Sequence, residues 1–349
     1  MNNESFPLYS SDKKGWPFDI ESLPDQNQSD ISWPKISIVT PSFNQGQYIE
    51  QTIRSVLLQN YPNLEYIIFD GGSTDETVSI IKKYEPWLTY WVSEPDRGQS
   101  HAINKGLKKC TGNYFNWINS DDYLEKGALQ AISNYVSVNP DVNIICGYTN
   151  CFWNDDNRPS HEYRMGLKSN VADNILHVEM NQPGTFYRTE ILRKFGGVNE
   201  SLRYVFDDEL WFRYLCAFGM QNIGLINDRI AHFRLHSNSK SVLEGYPLFN
   251  QELQAIYFQI LKEIGSAEWL LELQSKEIMS HEYNSSKPWE LHYLERSKFL
   301  AFFARKFITT LYNSGSIKAA KEAMRLIKEN GYFCWSRMHL SLAVKLLFQ

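Results

Sequence analysis

The sequence predicts an α/β protein in which helices flank a mainly parallel sheet, followed by a C-terminal helical extension. Between residues 35 and 148, short β-branched runs alternate with stretches of helical periodicity. The runs lack polar alternation, which is typical of strands buried on both faces of a parallel sheet. After about Tyr246 the pattern becomes helical. A length of 349 residues suits two domains, or one large domain with additions.

The first half of the predicted sheet contains four strands, at Ile36–Thr40, Leu64–Asp70, Leu88–Val92 and Asn113–Ile118. Helices are predicted between them, the last over Gln99–Lys109. Strands and helices that alternate at this rhythm indicate a parallel sheet, in which ligands bind at the carboxyl ends of the strands. Thr40, Asp70 and the pair Asp121-Asp122 each follow or close a different strand. We therefore expect these side chains to meet at one edge of the sheet.

The rest of the chain contains a predicted helix at Ala128–Val138 and a strand at Val142–Tyr148, and residues 150–180 are expected to be irregular. Further helices are predicted at Leu253–Ile264, Phe299–Leu311 and Ile317–Lys328. This organisation divides the chain into an extended N-terminal lead-in (1–34), an α/β domain (35–245) and a helical C-terminal region (246–349).

Composition excludes several classes of protein. The net charge of −5 argues against a general nucleic-acid binder, which carries a basic excess. Five cysteines without a CxxC pair suit a reducing compartment and argue against a zinc ribbon. The longest stretches without a charged residue have fourteen residues, whereas a membrane-spanning helix needs about 20 apolar ones. With no apolar secretory leader at the N-terminus, we expect a cytoplasmic protein.

The candidate chemistry is that of carboxylates at strand ends. The Gly-Gly after Asp70 is not the dinucleotide fingerprint, and the sequence lacks a phosphate loop with Lys followed by Ser or Thr. Neighbouring carboxylates such as Asp121 and Asp122 suit Mg²⁺ or Mn²⁺, which takes oxygen ligands and substrate phosphates. One carboxylate of the pair can bind the metal while the other accepts hydrogen bonds from a sugar. Asp121 could instead be only a helix N-cap.

Several motifs resemble family-2 glycosyltransferases of the GT-A fold. ISIVTPSFNQGQYIEQTIRSVLLQNYPNLEYIIFDGGSTDET resembles the opening of the family, and SEPDRGQSHAINKGLKKCTGNYFNWINSDD its second nucleotide-binding part. NQPGTFYRTEILRKFGGVNESLRYVFDDELWFRYLCAFG is similar to the acceptor half. The resemblance covers about Lys35 to Ser241. It implies a GT-A sheet and transfer of a sugar from a nucleoside-diphosphate donor. It also implies that 35–245 is a catalytic domain with a nucleotide-sugar half at 35–122 and an acceptor half at 123–245.

The resemblance also implies roles for residues that bind the donor. Thr40 and Asp70 match positions that hold the nucleotide base and ribose, and Arg97 matches a position with further donor contacts. Asp121 matches the ribose or sugar contact, and Asp122 matches the metal ligand of the Asp-x-Asp motif, whose first position is Ser120 here.

The catalytic base is expected at Asp207, which matches the acidic residue three positions before the family's Leu, here Leu210. Asp208 and Glu209 remain alternatives. The three acids could also have no catalytic role and form only the first turn of a helix, where the helix dipole favours negative charge. His236 follows a strand at a place where the family has a His near the diphosphate. It could ligate the metal, contact a phosphate or be an ordinary loop histidine.

The C-terminal tail differs in charge from the rest of the chain. Residues 296–349 contain ten Lys or Arg and two acids, and Phe299, Phe303 and Phe307 form an apolar stripe. The stripe could pack on the catalytic domain as a helical appendage. Alternatively, the basic and aromatic residues could bind an anionic membrane surface, with Arg305 and Lys306 at the edge of the stripe.

Together these features predict a metal-dependent glycosyltransferase, inverting in mechanism, that uses Mn²⁺ or Mg²⁺. It would transfer a sugar to a hydroxyl of a glycan or lipid-linked saccharide in bacterial surface-polysaccharide assembly, at the cytoplasmic face of the membrane. Two other classes stay open, a nucleotidyltransferase acting on sugar phosphates and an inactive scaffold of the same fold. The sequence Asn44-Gln45-Gly46-Gln47 lacks the basic residue that a nucleotidyltransferase loop would carry.

Overall fold

The computed structural model describes residues 6–9, 13–23, 33–154, 158–243, 245–266, 268–277, 283–285 and 288–329. The strands are β1 (Ile36–Ser42), β2 (Leu64–Asp70), β3 (Tyr90–Ser93), β4 (Tyr114–Trp117), β5 (Tyr123–Leu124), β6 (Ile144–Trp153), β7 (His161–Tyr163), β8 (Thr185–Arg188) and β9 (Ile223–Leu235). The helices are α1 (Gly46–Leu57), α2 (Thr77–Tyr84), α3 (Gln99–Lys109), α4 (Ala128–Val138), α5 (Val171–Leu176), α6 (Thr189–Phe195), α7 (Phe206–Phe218), α8 (Lys240–Leu243), α9 (Gly245–Glu263), α10 (Glu268–Glu277), α11 (Arg296–Asn313) and α12 (Ile317–Glu329).

One sheet joins these strands in the order β3-β2-β1-β4-β8-β6-β9-β5, and β7 pairs with β6. The strands β3, β2, β1 and β4 are parallel, as the strand–helix rhythm predicts. Beyond β4 the sheet is mixed, because β8 runs antiparallel to both of its neighbours, β4 and β6. The predicted α/β fold class is confirmed. The first half of the sheet is parallel throughout, whereas the second half combines antiparallel pairs with the parallel pairing of β6 and β9.

The second half of the sheet differs most from the sequence prediction. The region expected to be irregular, 150–180, holds the end of β6, the short strand β7 and helix α5. Strand β8 has only four residues and follows a turn at Gln182–Gly184, so its local pattern is too short to identify. Its place between β4 and β6 depends on tertiary pairing, which local periodicity does not encode.

Part of the N-terminal lead-in is fixed by one buried cation. Arg54 on α1 is 4% exposed, and its guanidinium donates to the carbonyls of Pro7, Pro17 and Phe18 at 2.6, 3.0 and 2.6 Å. It donates a further hydrogen bond to the Tyr84 hydroxyl at 3.1 Å. A buried charge is stable only when its hydrogen-bonding groups are satisfied, so these three residues of the lead-in are part of the folded unit.

The chain divides into two compact units. The first consists of residues 1–166, 180–210 and 222–246 and contains the whole sheet; the second consists of 167–179, 211–221 and 247–349. The second unit therefore includes two segments that the sequence placed inside the catalytic domain. Among the described helices, none combines the length and apolar character needed to cross a bilayer.

The phenylalanine stripe of α11 lies in the interior of the second unit. Phe299, Phe303 and Phe307 are at most 2% exposed, and consecutive rings stack at 6.1 and 5.9 Å. Lys306 donates to the carbonyl of Leu176 at 2.6 Å and to the Tyr257 hydroxyl at 3.0 Å. The expectation that this stripe and Lys306 face a membrane is wrong, because the three rings are buried and Lys306 is hydrogen-bonded within the protein. Residues 330–349 of the tail lie outside the described residues.

Candidate active site

The loops that follow β1, β2 and β4 converge on one edge of the sheet. In the parallel register Ser42 pairs with Asp70, and Val39 pairs with Trp117, the last residue of β4. The loop with Asn119 and Asp121 follows directly. The carboxyl ends of these strands thus meet as the sequence predicts, and the candidate residues of the first 122 positions lie along this edge.

The most specific feature of this edge is a contact between Asp121 and His236. The Oδ2 atom of Asp121 lies 3.1 Å from Nε2 of His236, whose side chain is 3% exposed. Strand β9 brings the histidine there, because it runs antiparallel to β5 with Tyr123 opposite His232. The imidazole also packs on the ring of Tyr48 at 4.8 Å between centroids. Two residues 115 positions apart therefore meet at one point.

This pair fits a divalent cation. Adjacent ligands of an octahedral Mg²⁺ or Mn²⁺, with bonds of about 2.1 Å, lie about 3 Å apart, and the two atoms are 3.1 Å apart. Carboxylate oxygen and imidazole nitrogen are both suitable donors. Within the described residues no group of three or more His, Cys, Asp or Glu side chains could hold a metal. A cation at this point would therefore need water or a diphosphate to complete its shell.

Asp122 occupies a different environment. Its side chain is 1% exposed, Oδ1 accepts from the backbone N–H of Arg234 at 2.9 Å, and Oδ2 accepts from Asn119 Nδ2 at 3.1 Å. Burial and the charge of Asp121 raise the pKa of the Asp122 carboxyl well above its usual value. Both oxygens are committed to groups of the protein. The geometry thus does not support the predicted metal role of Asp122, and it favours Asp121 for that role.

Arg234 organises the same loop and was not identified from the sequence. Its guanidinium donates through Nε to the Asp121 carbonyl at 2.8 Å and through Nη2 to Gln51 Oε1 at 2.7 Å. The side chain lies over the rings of Tyr48 and Phe152, each at 4.8 Å, and burial lowers its pKa. The sequence feature that could have identified Arg234 is its position two residues before His236, at the end of a strand with an alternating pattern.

A polar network supports the loop from the other side. Gln99, the first residue of α3, donates to Asn119 Oδ1 at 2.6 Å, and Lys240 Nζ donates to Gln99 Oε1 at 2.7 Å. Because Asn119 also donates to Asp122, the conformation of the acidic loop is set by three separate segments of the chain. Preorganisation of this kind holds an electrostatic site in place without reorganisation during the reaction.

The predicted donor residues Thr40 and Asp70 are buried and bonded within the protein. The hydroxyls of Thr40 and Tyr66 are 3.0 Å apart. Asp70 Oδ2 accepts from the backbone N–H of Ser73 at 2.9 Å and from Ser93 Oγ at 2.6 Å. Asp70 therefore shapes the loop after β2 and ties it to β3. In the structure these two side chains are buried below this edge of the sheet and do not form an open contact surface.

Phe43 is an exposed aromatic residue at this edge that sequence reasoning missed. It follows β1 directly and is 58% exposed. Its neighbour Asn44 has a positive φ of 51°; its N–H donates to Ser73 Oγ at 2.7 Å, and its Oδ1 accepts from Thr74 N–H at 2.9 Å. The loop that presents the ring is thus anchored to the loop after β2. The signal available in the sequence was an aromatic residue just beyond a strand end.

Arg97 lies on the surface near α3. Its side chain is 71% exposed and its Nη2 forms an ion pair with Glu200 Oε2 at 2.5 Å. Glu200 also accepts from Asn104 Nδ2 at 2.9 Å, which joins the segment before α7 to α3. An exposed ion pair is weak, so the guanidinium can exchange this partner for an anionic ligand at small cost.

Asp207 lies in the first turn of α7, with Asp208 and Glu209. Its neighbour Phe206 packs against Trp117 at 6.2 Å between ring centroids, so α7 begins at the same end of β4 as the Asp121 loop. Asp207 and Asp208 are half-buried, whereas Glu209 is 1% exposed. Burial makes Glu209 the weakest of the three candidates for proton transfer to a substrate.

Comparisons with known proteins show which proteins this chain is similar to. Residues 37–196 match the family model described as glycosyl transferase family 2. An uncharacterised glycosyltransferase of Rickettsia prowazekii (strain Madrid E) is 28% identical over 250 residues, which cover 70% of this chain and 77% of that protein. TuaG of Bacillus subtilis (strain 168), provisionally named a teichuronic acid biosynthesis glycosyltransferase, is 39% identical over 100 residues, or 28% of this chain and 40% of that protein.

A similar fold occurs in S. aureus TarS. The structure of TarS 1–349 in complex with UDP-GlcNAc aligns with a TM-score of 0.53 at 18% identity, covering 78% of this chain and 80% of that chain. A longer TarS chain aligns with a TM-score of 0.51, and the match spans 49% of its length. At this level of identity the likeness shows the fold.

Proposed function

We propose that this chain is a transferase that moves one sugar from a nucleoside-diphosphate donor to a hydroxyl of a saccharide acceptor, with inversion and with a divalent cation. The match of residues 37–196 to the model of glycosyl transferase family 2 and the similarity to a glycosyltransferase of Rickettsia prowazekii support this class of reaction. The observation that carries this proposal is the contact of Asp121 with His236 at 3.1 Å, on the edge of the sheet where α7 begins. A nucleotide-sugar transferase needs its metal ligands and its base at one such edge.

In the proposed reaction the residues divide into two groups. Asp121 and His236 would hold Mn²⁺ or Mg²⁺, which neutralises charge on the departing diphosphate. Asp207 takes the proton of the acceptor hydroxyl as the oxygen attacks the anomeric carbon. One base acting opposite one leaving group gives a single displacement and inversion, because retention by double displacement would require a carboxylate nucleophile.

Donor recognition is assigned to the loops after β1, β2 and β3. Phe43 offers an exposed ring on which the nucleotide base stacks. Asp70 holds the adjoining loop in shape, and Thr40 supports the floor beneath it. Arg97 supplies a cation for the donor phosphates in exchange for Glu200. UDP-GlcNAc in the TarS complex is a donor of the proposed class.

The proposed setting is surface-polysaccharide assembly at the cytoplasmic face of the membrane. TuaG, whose name refers to teichuronic acid biosynthesis, supports a polysaccharide or lipid-linked saccharide acceptor. The charge of the C-terminal region supports a peripheral contact with anionic lipid, since residues 296–349 carry a net charge of 10 − 2 = +8. No nucleic-acid partner is proposed.

Donor binding is tested by thermal shift with UDP, GDP, ADP and TDP, each with and without Mn²⁺. We expect one nucleotide to raise Tm, and to do so more with Mn²⁺, because a ligand of the folded state stabilises by mass action. Phe43→Ala should weaken its apparent affinity by about 10- to 100-fold, the usual range for loss of a stacked base. Val138→Ala, an exposed apolar residue on α4, is the matched control and should leave the affinity unchanged.

The outcomes of this panel separate the candidate classes. Metal-dependent nucleotide binding followed by hydrolysis or transfer of a nucleotide sugar supports the proposal. Binding without turnover of any nucleotide sugar indicates an inactive scaffold. A preference for nucleoside triphosphate and sugar phosphate over nucleotide sugar would contradict the proposal in favour of a nucleotidyltransferase.

Membrane attachment predicts a role for the exposed face of α12. Lys318, Lys321 and Arg325 lie there, while Ala320, Ala323 and Ile327 on the other face are buried. Each basic residue near an anionic surface contributes about 1 kcal/mol, so changing all three to Gln should weaken binding to phosphatidylserine vesicles about 100-fold in sedimentation.

The matched control neutralises Lys82, Lys108 and Lys126, exposed lysines of the first unit, which changes the net charge equally. This control should sediment with vesicles like the unchanged protein. Equal loss in both triple variants would show non-specific charge attraction, and no loss in either would remove the membrane contact from the proposal.

A further inference from the structure

Strand β8 contains a buried hydroxyl group without a hydrogen bond to the described residues. Tyr187 on β8 is 1% exposed, and within the described residues its Oη has no hydrogen-bond partner. Buried hydroxyls are normally satisfied, because an unmade hydrogen bond in the interior costs free energy. Nearby buried tyrosines follow this rule. Tyr114 on the adjacent strand donates to the Val142 carbonyl at 2.9 Å.

The position of Tyr187 relates it to the start of α7. Its ring stacks on Trp117 with centroids 6.3 Å apart and planes at 7°, and Trp117 in turn packs on Phe206. Phe206 immediately precedes Asp207. The tyrosine therefore belongs to the same aromatic cluster as the residue before Asp207. Its backbone pairs with Phe115 on β4 and with Ile144 on β6, which fixes its place in the sheet.

Three titratable groups influence the Tyr187 hydroxyl. They are the Cys146 thiol on β6 and the carboxylates of Asp207 and Asp208 on α7; together with burial, which is the largest cause, they raise the pKa of the phenol well above its usual value. Burial raises the pKa of Cys146 to about 12, so the thiol is neutral at physiological pH. The carboxylates are thus the acceptors that could use the donor of Tyr187.

We propose that Tyr187 is a positioning residue for the base: when the acceptor is bound, its hydroxyl donates to the carboxylate of Asp207. A hydrogen bond from a neutral donor favours the ionised carboxylate and fixes its orientation toward the acceptor hydroxyl. The inference depends on the proposed function, in which Asp207 removes the acceptor proton. It explains why the fold keeps a polar group buried without a partner at this position.

Tyr187→Phe removes the hydroxyl and keeps the ring. We expect kcat to fall about tenfold and the acidic limb of the kcat–pH profile, which reports the acceptor-bound enzyme, to move upward by about one pH unit, because the base loses a bond that favours its charged form. KM for the donor should not change. We also expect Tm to rise or stay constant, since an unsatisfied buried group is removed.

Tyr114→Phe is the matched control, because it removes a satisfied hydroxyl from the same sheet. It should lower Tm and leave kcat and the pH profile unchanged. A fall in Tm of the same size for Tyr187→Phe would overturn the proposal, since the hydroxyl would then be bonded within the fold. A kcat and pH profile equal to those of the unchanged enzyme would overturn it as well.

Asp207→Asn separates failure of this inference from failure of the proposed function. If Asp207→Asn is inactive and Tyr187→Phe is unchanged, only the positioning role falls. If Asp207→Asn retains full activity, the base assignment and the positioning role both fall. In the double variant, Tyr187→Phe should produce no further loss beyond that of Asp207→Asn, because both changes act on one proton transfer.

Discussion

Replacing Asp207 with Asn is expected to lower kcat for sugar transfer by about 10²- to 10⁴-fold, the range for loss of a positioned general base. The amide has the shape of the carboxylate but cannot accept a proton from the acceptor hydroxyl. Donor binding should persist, because the loops proposed to hold the nucleotide belong to the first half of the sheet. Steady-state kinetics with the donor identified by thermal shift, together with the donor Kd, measure both effects.

Asp208→Asn is the matched control, since it makes the same change one residue further along α7. We expect its kcat to stay within a few-fold of the unchanged enzyme. Loss of activity in Asp208→Asn with retention of activity in Asp207→Asn would show that Asp208, not Asp207, is the base. Retention in both would remove the acidic turn from the mechanism and leave the base to another element.

Asp121→Asn is expected to reduce metal-dependent transfer by at least about 10²-fold, because the cation contributes several kcal/mol to the stabilisation of the leaving group. The amide oxygen is a poorer ligand for a hard cation than a carboxylate. Titration of Mn²⁺ against activity measures the effect, and we expect saturating Mn²⁺ to leave the variant well below the unchanged enzyme.

Asp122→Asn distinguishes the two acids. Both oxygens of Asp122 accept from protein groups, so its substitution should weaken metal affinity by about tenfold, the lower end for residues that orient a ligand, and excess Mn²⁺ should restore activity. If Asp122→Asn is the variant that Mn²⁺ cannot rescue, then Asp122 is the ligand, as the sequence resemblance implied, and the assignment to Asp121 is wrong.

The sequence predicted the first half of the sheet well because its strands are continuous apolar runs closed by turn residues. Ile36–Thr40 and Leu64–Asp70 fall within the observed β1 and β2, and Gln99–Lys109 is the observed α3. The antiparallel strand β8 escaped prediction, since four residues give too little periodicity. Its place in the sheet is decided by pairing with β4 and β6.

Site residues were predictable as a set but not in their individual roles. Parallel topology alone brings Asp70 and the Asp121-Asp122 pair to one edge. Which of two adjacent acids faces outward depends on the turn conformation, and this is fixed by Asn119 in the same loop and by the backbone N–H of Arg234 on a distant strand. Tyr187 was unpredictable for the same reason, because a missing hydrogen bond is visible only in three dimensions.

The hydrogen bonds from Arg54 to three backbone carbonyls limit how far the chain can be shortened at its amino end. The segment that matches the family model, 37–196, excludes Pro7, Pro17 and Phe18, which accept the guanidinium's hydrogen bonds. A fragment cut to those limits would leave the buried guanidinium of Arg54 without these three carbonyl acceptors. Arg54 lies on α1, the helix that also contributes Tyr48 and Gln51 around Arg234. The smallest piece that keeps the surroundings of Arg234 intact is therefore longer at its amino end than sequence similarity suggests.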